Sequence, residues 1–106
     1  MRIVFEKDYL EQLYTEGKAK GKKYRYPKGV ILKYKQTIDK LRISDRIEDL
    51  FLISSLNYEK LIGDKKGLES VRVNQQYRIE FKSSVDNENS NAITICSIVE
   101  LSNHYK

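Results

Sequence analysis

Residues 68–82 read Leu68-Glu69-Ser70-Val71-Arg72-Val73, then Asn74-Gln75-Gln76, then Tyr77-Arg78-Ile79-Glu80-Phe81-Lys82. Two runs that alternate with period two, separated by a short polar break, form the pattern of two strands joined by a turn. The register follows from the faces. A two-residue loop at Asn74-Gln75 pairs Val73 with Gln76 and Arg72 with Tyr77, which sets a charge against an aromatic ring and scrambles both faces. A three-residue loop pairs Val73 with Tyr77, Arg72 with Arg78 and Val71 with Ile79, so that one face is apolar and the other carries both arginines. The hairpin is therefore expected in the second register.

On its N-terminal side the hairpin is preceded by Gly63-Asp64-Lys65-Lys66-Gly67, a turn in which two glycines can take positive φ, and by an extended stretch from Tyr58 to Ile62. On its C-terminal side the polar segment Ser83 to Asn91 reads as a flexible connection. Ala92 to Leu101 is then an almost unbroken apolar run, as expected of a central strand buried on both faces. The first half of the chain has a different period. Ile3-Val4-Phe5 reads as a short strand; Tyr9, Leu10, Leu13 and Tyr14 recur at helical spacing up to Gly17. Pro27 stands where a second helix can begin, with Val30, Ile31, Tyr34, Ile38 and Leu41 on one face and its end near Arg42. Ser44 is the expected N-cap of a short third helix carrying Ile47, Leu50 and Phe51. Strand, helices and then strands make an α+β domain.

The chain has 106 residues, 40% of them hydrophobic, enough for one core and one domain spanning 1–106. No apolar run approaches the roughly 18 residues that cross a bilayer, and the N-terminus lacks the pattern of a secretory signal, so the expected location is the cytoplasm and no membrane partner is expected. Cys96 is the single cysteine, and with one histidine it cannot make a structural zinc site. Neither a metal nor another cofactor is expected, and phosphate-loop and dinucleotide motifs are absent.

Net charge is +5, unevenly spread. Lys18, Lys20, Lys22, Lys23, Arg25, Lys28, Lys33, Lys35, Lys40 and Arg42 are ten of the twenty basic residues and share their segment with one acid, Asp39. A segment of this kind attracts polyanions, of which nucleic acid is the commonest in a cytosol; the competing reading is a solvated helix face that keeps the protein soluble. Tyr24, Tyr26 and Tyr34 interleave with the charges and offer surfaces on which bases can stack. Lys20, Lys22, Lys23, Arg25, Lys28, Lys33 and Lys35 are accordingly the candidate RNA- or ribosome-binding residues.

Arg72 opposite Arg78 is the most informative pair for chemistry. Like charges directly across a sheet repel, and an anion would compensate, since guanidinium groups match phosphate geometry at any working pH. The alternative is neutralisation by Glu80 and Glu69 on the same hairpin. His104, the single histidine, follows the terminal strand and titrates near neutrality, as a general acid or base must. Glu59 and Lys60 sit on the segment entering the sheet, where plain solvent-exposed charges are the competing reading, while Tyr58, Tyr77 and Tyr105 read as core or rim aromatics.

The glycine turn 63–67, the segment Ser70-Val71-Arg72-Val73-Asn74-Gln75-Gln76-Tyr77-Arg78-Ile79-Glu80-Phe81 and the ending Val99-Glu100-Leu101-Ser102-Asn103-His104-Tyr105 together resemble HigB-type toxins of the RelE/ParE superfamily. The resemblance covers about Tyr58 to Lys106; the helical half is similar in layout and charge. It implies a RelE-like fold, with a short N-terminal strand and helices packed on an antiparallel β-sheet. It also implies ribosome-dependent, metal-independent cleavage of mRNA, and neutralisation by a HigA-like helix-turn-helix antitoxin.

Arg72 and Arg78 match the family's hairpin arginines and His104 matches the histidine ending its last strand. Many HigB proteins carry a His and a Lys just before the glycine turn, where this chain has Glu59 and Ile62 with Lys60 as the nearest cation. The acid and Tyr that commonly precede the terminal His are Ser102 and Asn103 here. The catalytic candidates are thus Arg72, Arg78, His104, Glu59 and Lys60. Two other readings stand beside this one: a ParE-like toxin that inhibits DNA gyrase, and a non-catalytic RNA-binding module.

Overall fold

The computed structural model describes residues 1–88 and 91–103. Its elements run β1 (Arg2–Phe5), α1 (Asp8–Glu16), α2 (Lys28–Ile43), α3 (Ile47–Leu50), β2 (Glu59–Lys60), β3 (Glu69–Arg72), β4 (Tyr77–Glu88) and β5 (Asn91–Asn103), with short 3-10 turns at Lys22–Tyr24, Ser54–Leu56 and Gly63–Lys65. The five strands form one sheet in the order β1-β5-β4-β3-β2. β2 through β5 are antiparallel neighbours, while β1 joins the edge parallel to β5, so the sheet is mixed. The long connection between β1 and β5, through the helices and three strands, permits this parallel pairing, which a tight hairpin would not.

α1 stops where Gly17 takes φ 77° and donates its N–H to the Leu13 carbonyl. This is the left-handed closure that only glycine adopts without strain. Pro27 precedes the first residue of α2 and its carbonyl accepts from Val30 and Ile31 N–H, so the fixed φ of the proline starts the helix. α1 buries Tyr9, Leu10 and Leu13, and α2 buries Val30, Tyr34, Thr37, Ile38 and Leu41. They pack on the sheet face that presents Val71, Val73, Ile79, Phe81, Cys96, Ile98 and Leu101. Ser44 does not cap α3; its hydroxyl donates back to Lys40 at the end of α2. The Asp49 carboxylate instead accepts the N–H groups of Asp45 and Arg46 at 3.1 and 3.0 Å. A carboxylate in the first turn is also favoured there by the helix dipole.

The hairpin has the three-residue loop. Val71 faces Ile79 and Arg72 faces Arg78, with the Val73 N–H bonded to the Tyr77 carbonyl at 2.9 Å. Asn74 closes the loop: its Oδ1 accepts from the N–H of Gln76 at 2.8 Å and of Tyr77 at 2.7 Å.

Two further features depart from the sequence reading. Residues 83–88 are not a loose connection but continue β4, pairing in register with β5 from Ser83 opposite Cys96 to Glu88 opposite Asn91. A ribbon solvated on both faces needs no apolar alternation, so polar composition concealed it. β5 is also buried chiefly on one face. Between Glu80 opposite Glu100 and Phe81 opposite Ile98 the register shifts, leaving Val99 as an extra residue in β5. That bulge inverts the parity of the strand end. Ile98 and Leu101 both enter the core, and Glu100 and Ser102 come to the opposite face beside Glu80 and Arg78.

Candidate active site

The sheet face turned away from the helices carries two rows of side chains. One runs Glu59, Ser70, Glu80, Glu100 across β2, β3, β4 and β5; the next runs Arg72, Arg78, Ser102. Cross-strand partners have Cβ atoms only about 5 Å apart, so the rows form one continuous polar surface.

Glu80 is the electrostatic centre. It is 2% exposed, and its Oε2 accepts from Lys65 Nζ at 2.6 Å, from Arg78 Nε at 3.1 Å and from the Arg78 terminal nitrogen at 3.0 Å. A buried carboxylate needs such partners, because an unpaired charge in the interior is far costlier than a paired one. Lys65 reaches it from the 3-10 turn at Gly63–Lys65, whose entry and exit need Gly63 at φ 68° and Gly67 at φ 97°. The glycines therefore place a lysine over the sheet. Sequence reasoning found the turn but not this lysine; the signal was a Lys between two glycines immediately upstream of the arginine hairpin.

Arg72 has no carboxylate within ion-pair distance among the described residues. Its side chain opens on a shallow depression of about 730 Å³ shared with Asn74, Gln75 and Gln76. Neutralisation by glutamates thus reaches only one arginine of the pair. Glu69, the other candidate counter-ion, lies on the helix side, where it accepts from the Tyr58 hydroxyl and from the Ser83 N–H and hydroxyl at 3.0 and 2.6 Å. Burial first, and the Glu69 carboxylate second, hold the Tyr58 phenol above its usual range. The cluster of Lys65, Arg72, Arg78 and Glu80 carries three positive charges and one negative.

Glu59 faces Ser70 and borders a small cleft with Arg72, Arg78 and Asn74. Lys60 is opposite Glu69, so alternation along β2 turns it to the other side of the sheet. His104 lies outside the described residues.

Of the basic segment, Lys20, Lys22, Lys23, Arg25, Lys28 and Lys33 are exposed and Lys35 is half-exposed. Tyr34 is fully buried with its hydroxyl donating to the Leu10 carbonyl at 2.8 Å, so it offers no stacking surface; burial raises its phenol far above the usual range. Tyr24 and Tyr26 stay half-exposed. Beyond Phe5, where β1 ends, the free edge of β5 is closed by tyrosines. The Leu101 N–H donates to the Tyr9 hydroxyl and the Tyr26 hydroxyl donates to the Leu101 carbonyl, both at 3.1 Å. These bonds fasten the basic segment to the strand that carries Ser102.

A family model described as HigB-like toxin, RelE-like toxin of type II toxin-antitoxin system HigB, matches residues 3–95. The chain belongs to this family. It is a type II toxin, and membership implies an antitoxin partner. The matched stretch contains Glu59, Lys65, Arg72, Arg78 and the whole basic segment of this HigB-like toxin. Among solved structures, a YoeB/ParE toxin from Agrobacterium tumefaciens is similar in fold: it aligns over 99% of this chain and 100% of its own, at 18% identity and a TM-score of 0.51. No curated protein sequence matches. Among the described residues no helix is long and apolar enough to cross a membrane.

Proposed function

We propose that this HigB-like toxin is a ribosome-dependent mRNA endonuclease that acts in the cytoplasm and is neutralised by a HigA-like helix-turn-helix antitoxin. One observation carries the reading. Arg72 stands directly across from Arg78 with no counter-ion among the described residues, while Arg78 is held rigid by Glu80. Glu80 compensates Arg78 alone, so Arg72 is left as an unbalanced guanidinium beside a fixed one, and a phosphodiester is the anion that guanidinium geometry fits.

In the proposed reaction the ribose 2′-hydroxyl loses its proton to Glu59 and attacks the adjacent phosphorus. The P–O5′ bond breaks and the departing oxygen takes a proton from His104, leaving a 2′,3′-cyclic phosphate and a 5′-hydroxyl. Arg72 and Arg78 stabilise the extra charge of the five-coordinate phosphorus, an electrostatic role that is usually the largest single contribution. His104 enters on the sequence resemblance. Lys60 faces away from the arginines and takes no role in this scheme. Lys20, Lys22, Lys23, Arg25, Lys28, Lys33 and Lys35 dock on ribosomal RNA, an interaction that weakens with salt.

The test adds purified protein to translating ribosomes and maps mRNA ends by primer extension. Cuts made by the native protein and absent with Arg72→Ala support the reading. Intact mRNA overturns it, and inhibition of gyrase supercoiling by the same preparation would place the protein with the ParE-like alternative. Salt-dependent RNA binding without cleavage would instead make it a non-catalytic RNA-binding module.

A further inference from the structure

Where β1 stops and the edge of β5 is left to the tyrosines, a cavity of about 620 Å³ opens beside the arginine cluster. Its size falls within the roughly 300–1,000 Å³ of small-molecule sites. Lys7, Lys23 and Lys65 line it together with Tyr24, Tyr26 and a single acid, Glu100. Three cations against one carboxylate give the lining a net positive charge. Lys7 meets Glu100 at 3.6 Å with both side chains nearly half exposed, and Lys65 keeps donors to spare beyond Glu80. Lys23 has no carboxylate partner among the described residues.

The aromatic part is rigid. Tyr24 stacks on Tyr9 at a centroid distance of 4.1 Å and an interplanar angle of 5°, and Tyr9 is itself bonded to the Leu101 N–H. The Lys23 ammonium lies over the Tyr24 ring, 5.0 Å from its centre, on a flexible side chain that a stacking base can displace. Tyr26 is fixed by its bond to Leu101 and by an edge-on contact with Tyr77 at 5.6 Å. A flat π-surface backed by packed rings and flanked by lysines suits a nucleobase with its phosphate. Lys65 belongs both to this cavity and to the Glu80 cluster, so the two sites are contiguous.

The geometry points to a second RNA subsite: a nucleobase of the bound strand stacks on the outer face of Tyr24, and its phosphate is met by Lys23, Lys7 and Lys65. The subsite rests on the RNA-cleavage reading and assigns where a nucleotide neighbouring the cut is held. It binds rather than reacts, so its loss raises KM and leaves kcat unchanged.

The experiment uses the whole protein on ribosomes programmed with an mRNA that carries 4-thiouridine next to a 2′-O-methyl, uncleavable position. Ultraviolet crosslinking and peptide mapping are expected to place an adduct on Tyr24 or Lys23. On cleavable mRNA, Tyr24→Ala is expected to raise KM about tenfold, the scale of one lost base stack, with Tyr24→Phe within about twofold of the native protein. Tyr24→Phe keeps the ring on which the base stacks, and an unchanged kcat in Tyr24→Ala excludes a folding defect in that variant. Crosslinks confined to other peptides, no crosslink, or an unchanged KM in Tyr24→Ala while the native protein still cuts mRNA overturn the subsite alone. Failure of the native protein to cut any mRNA overturns the cleavage reading, and the subsite with it.

Discussion

Arg72 and Arg78 face each other across the β3–β4 ladder, and Glu80 holds only Arg78. The two therefore play different parts in the same site. Arg78 is a structural member of a buried ion cluster as well as a candidate phosphate ligand, whereas Arg72 has only the second role. Arg72→Ala removes a cross-strand repulsion and is expected to change stability by no more than about 0.5 kcal/mol. The same variant is expected to slow mRNA cleavage by about 10²- to 10³-fold, the range for losing one group that stabilises transition-state charge. Thermal melting and primer extension on the same preparations check both. A large fall in melting temperature would show that Arg72 is structural.

Glu80→Ala gives the opposite result. Removing a carboxylate that is 2% exposed leaves Arg78 and Lys65 without their shared acceptor. Breaking a fully buried pair costs about 3–5 kcal/mol; Lys65 is 41% exposed and can turn to water, so about 2–3 kcal/mol is expected here. That corresponds to a fall in melting temperature on the order of 10 °C. Lys65→Met removes only the more solvated cation and should cost less, which differential melting of the two variants would test.

The hairpin was legible in the sequence because a one-residue slip would have set Arg72 against Tyr77, so the charges themselves reported the register. The glycine turn was legible for a similar reason, since Gly63 and Gly67 both occupy positive φ. The Val99 bulge was not. It carries no Gly or Pro, and the change of parity that sends Leu101 inward and Ser102 outward exists only in the pairing with β4. Nor was the reach of Lys65 to Glu80, which depends on how the turn lies over the sheet. Tyr34 fits two patterns, the apolar face of α2 by its spacing from Val30 and Ile38 and the basic segment by its neighbours, and the structure bears out the first and excludes it as a stacking surface. The extension of β4 through Glu88 was lost because Ser, Asp and Asn are poor strand formers that a two-stranded ribbon nevertheless accepts.

Alkaline pH should unfold the protein earlier than its neutral stability suggests. Burial pushes the Cys96 thiol up from 9.0 to about 12, with Glu69 adding to the effect. Burial likewise raises the phenols of Tyr9, Tyr26, Tyr34 and Tyr58 above 10.0. All five groups keep their protons in the folded chain at a pH where the unfolded chain loses them. Stability from these groups is complete below pH 9.0 and falls as pH rises through the folded values, by up to about 1.4 kcal/mol per group per pH unit. The part of the tyrosinate absorbance due to these four tyrosines should therefore appear together with the loss of circular dichroism, above pH 10.0. Ionisation of more than four of the eight tyrosines before loss of the dichroism signal would contradict the burial.

Leu101 offers the sharpest test of how the helical layer is fixed to the sheet, because both of its backbone groups depend on tyrosines. Tyr9→Phe leaves a buried N–H without an acceptor and is expected to cost about 1–3 kcal/mol. Tyr26→Phe leaves a half-buried carbonyl that water can reach and should cost about 1 kcal/mol. The order matters more than the sizes, since it follows from which partner is the more secluded. Hydrogen exchange at the Leu101 amide separates the two: it should accelerate strongly in Tyr9→Phe and weakly in Tyr26→Phe. Tyr26 also precedes α2 and touches Tyr77, one residue before Arg78. Freeing it loosens the basic segment from the arginine face while leaving every cation in place. Tyr26→Phe should accordingly weaken ribosome association at fixed salt without changing the slope of affinity against salt, because that slope counts phosphate contacts. A reduced slope would mean that the contacts themselves had been lost, and that Tyr26 does more than hold the segment in position.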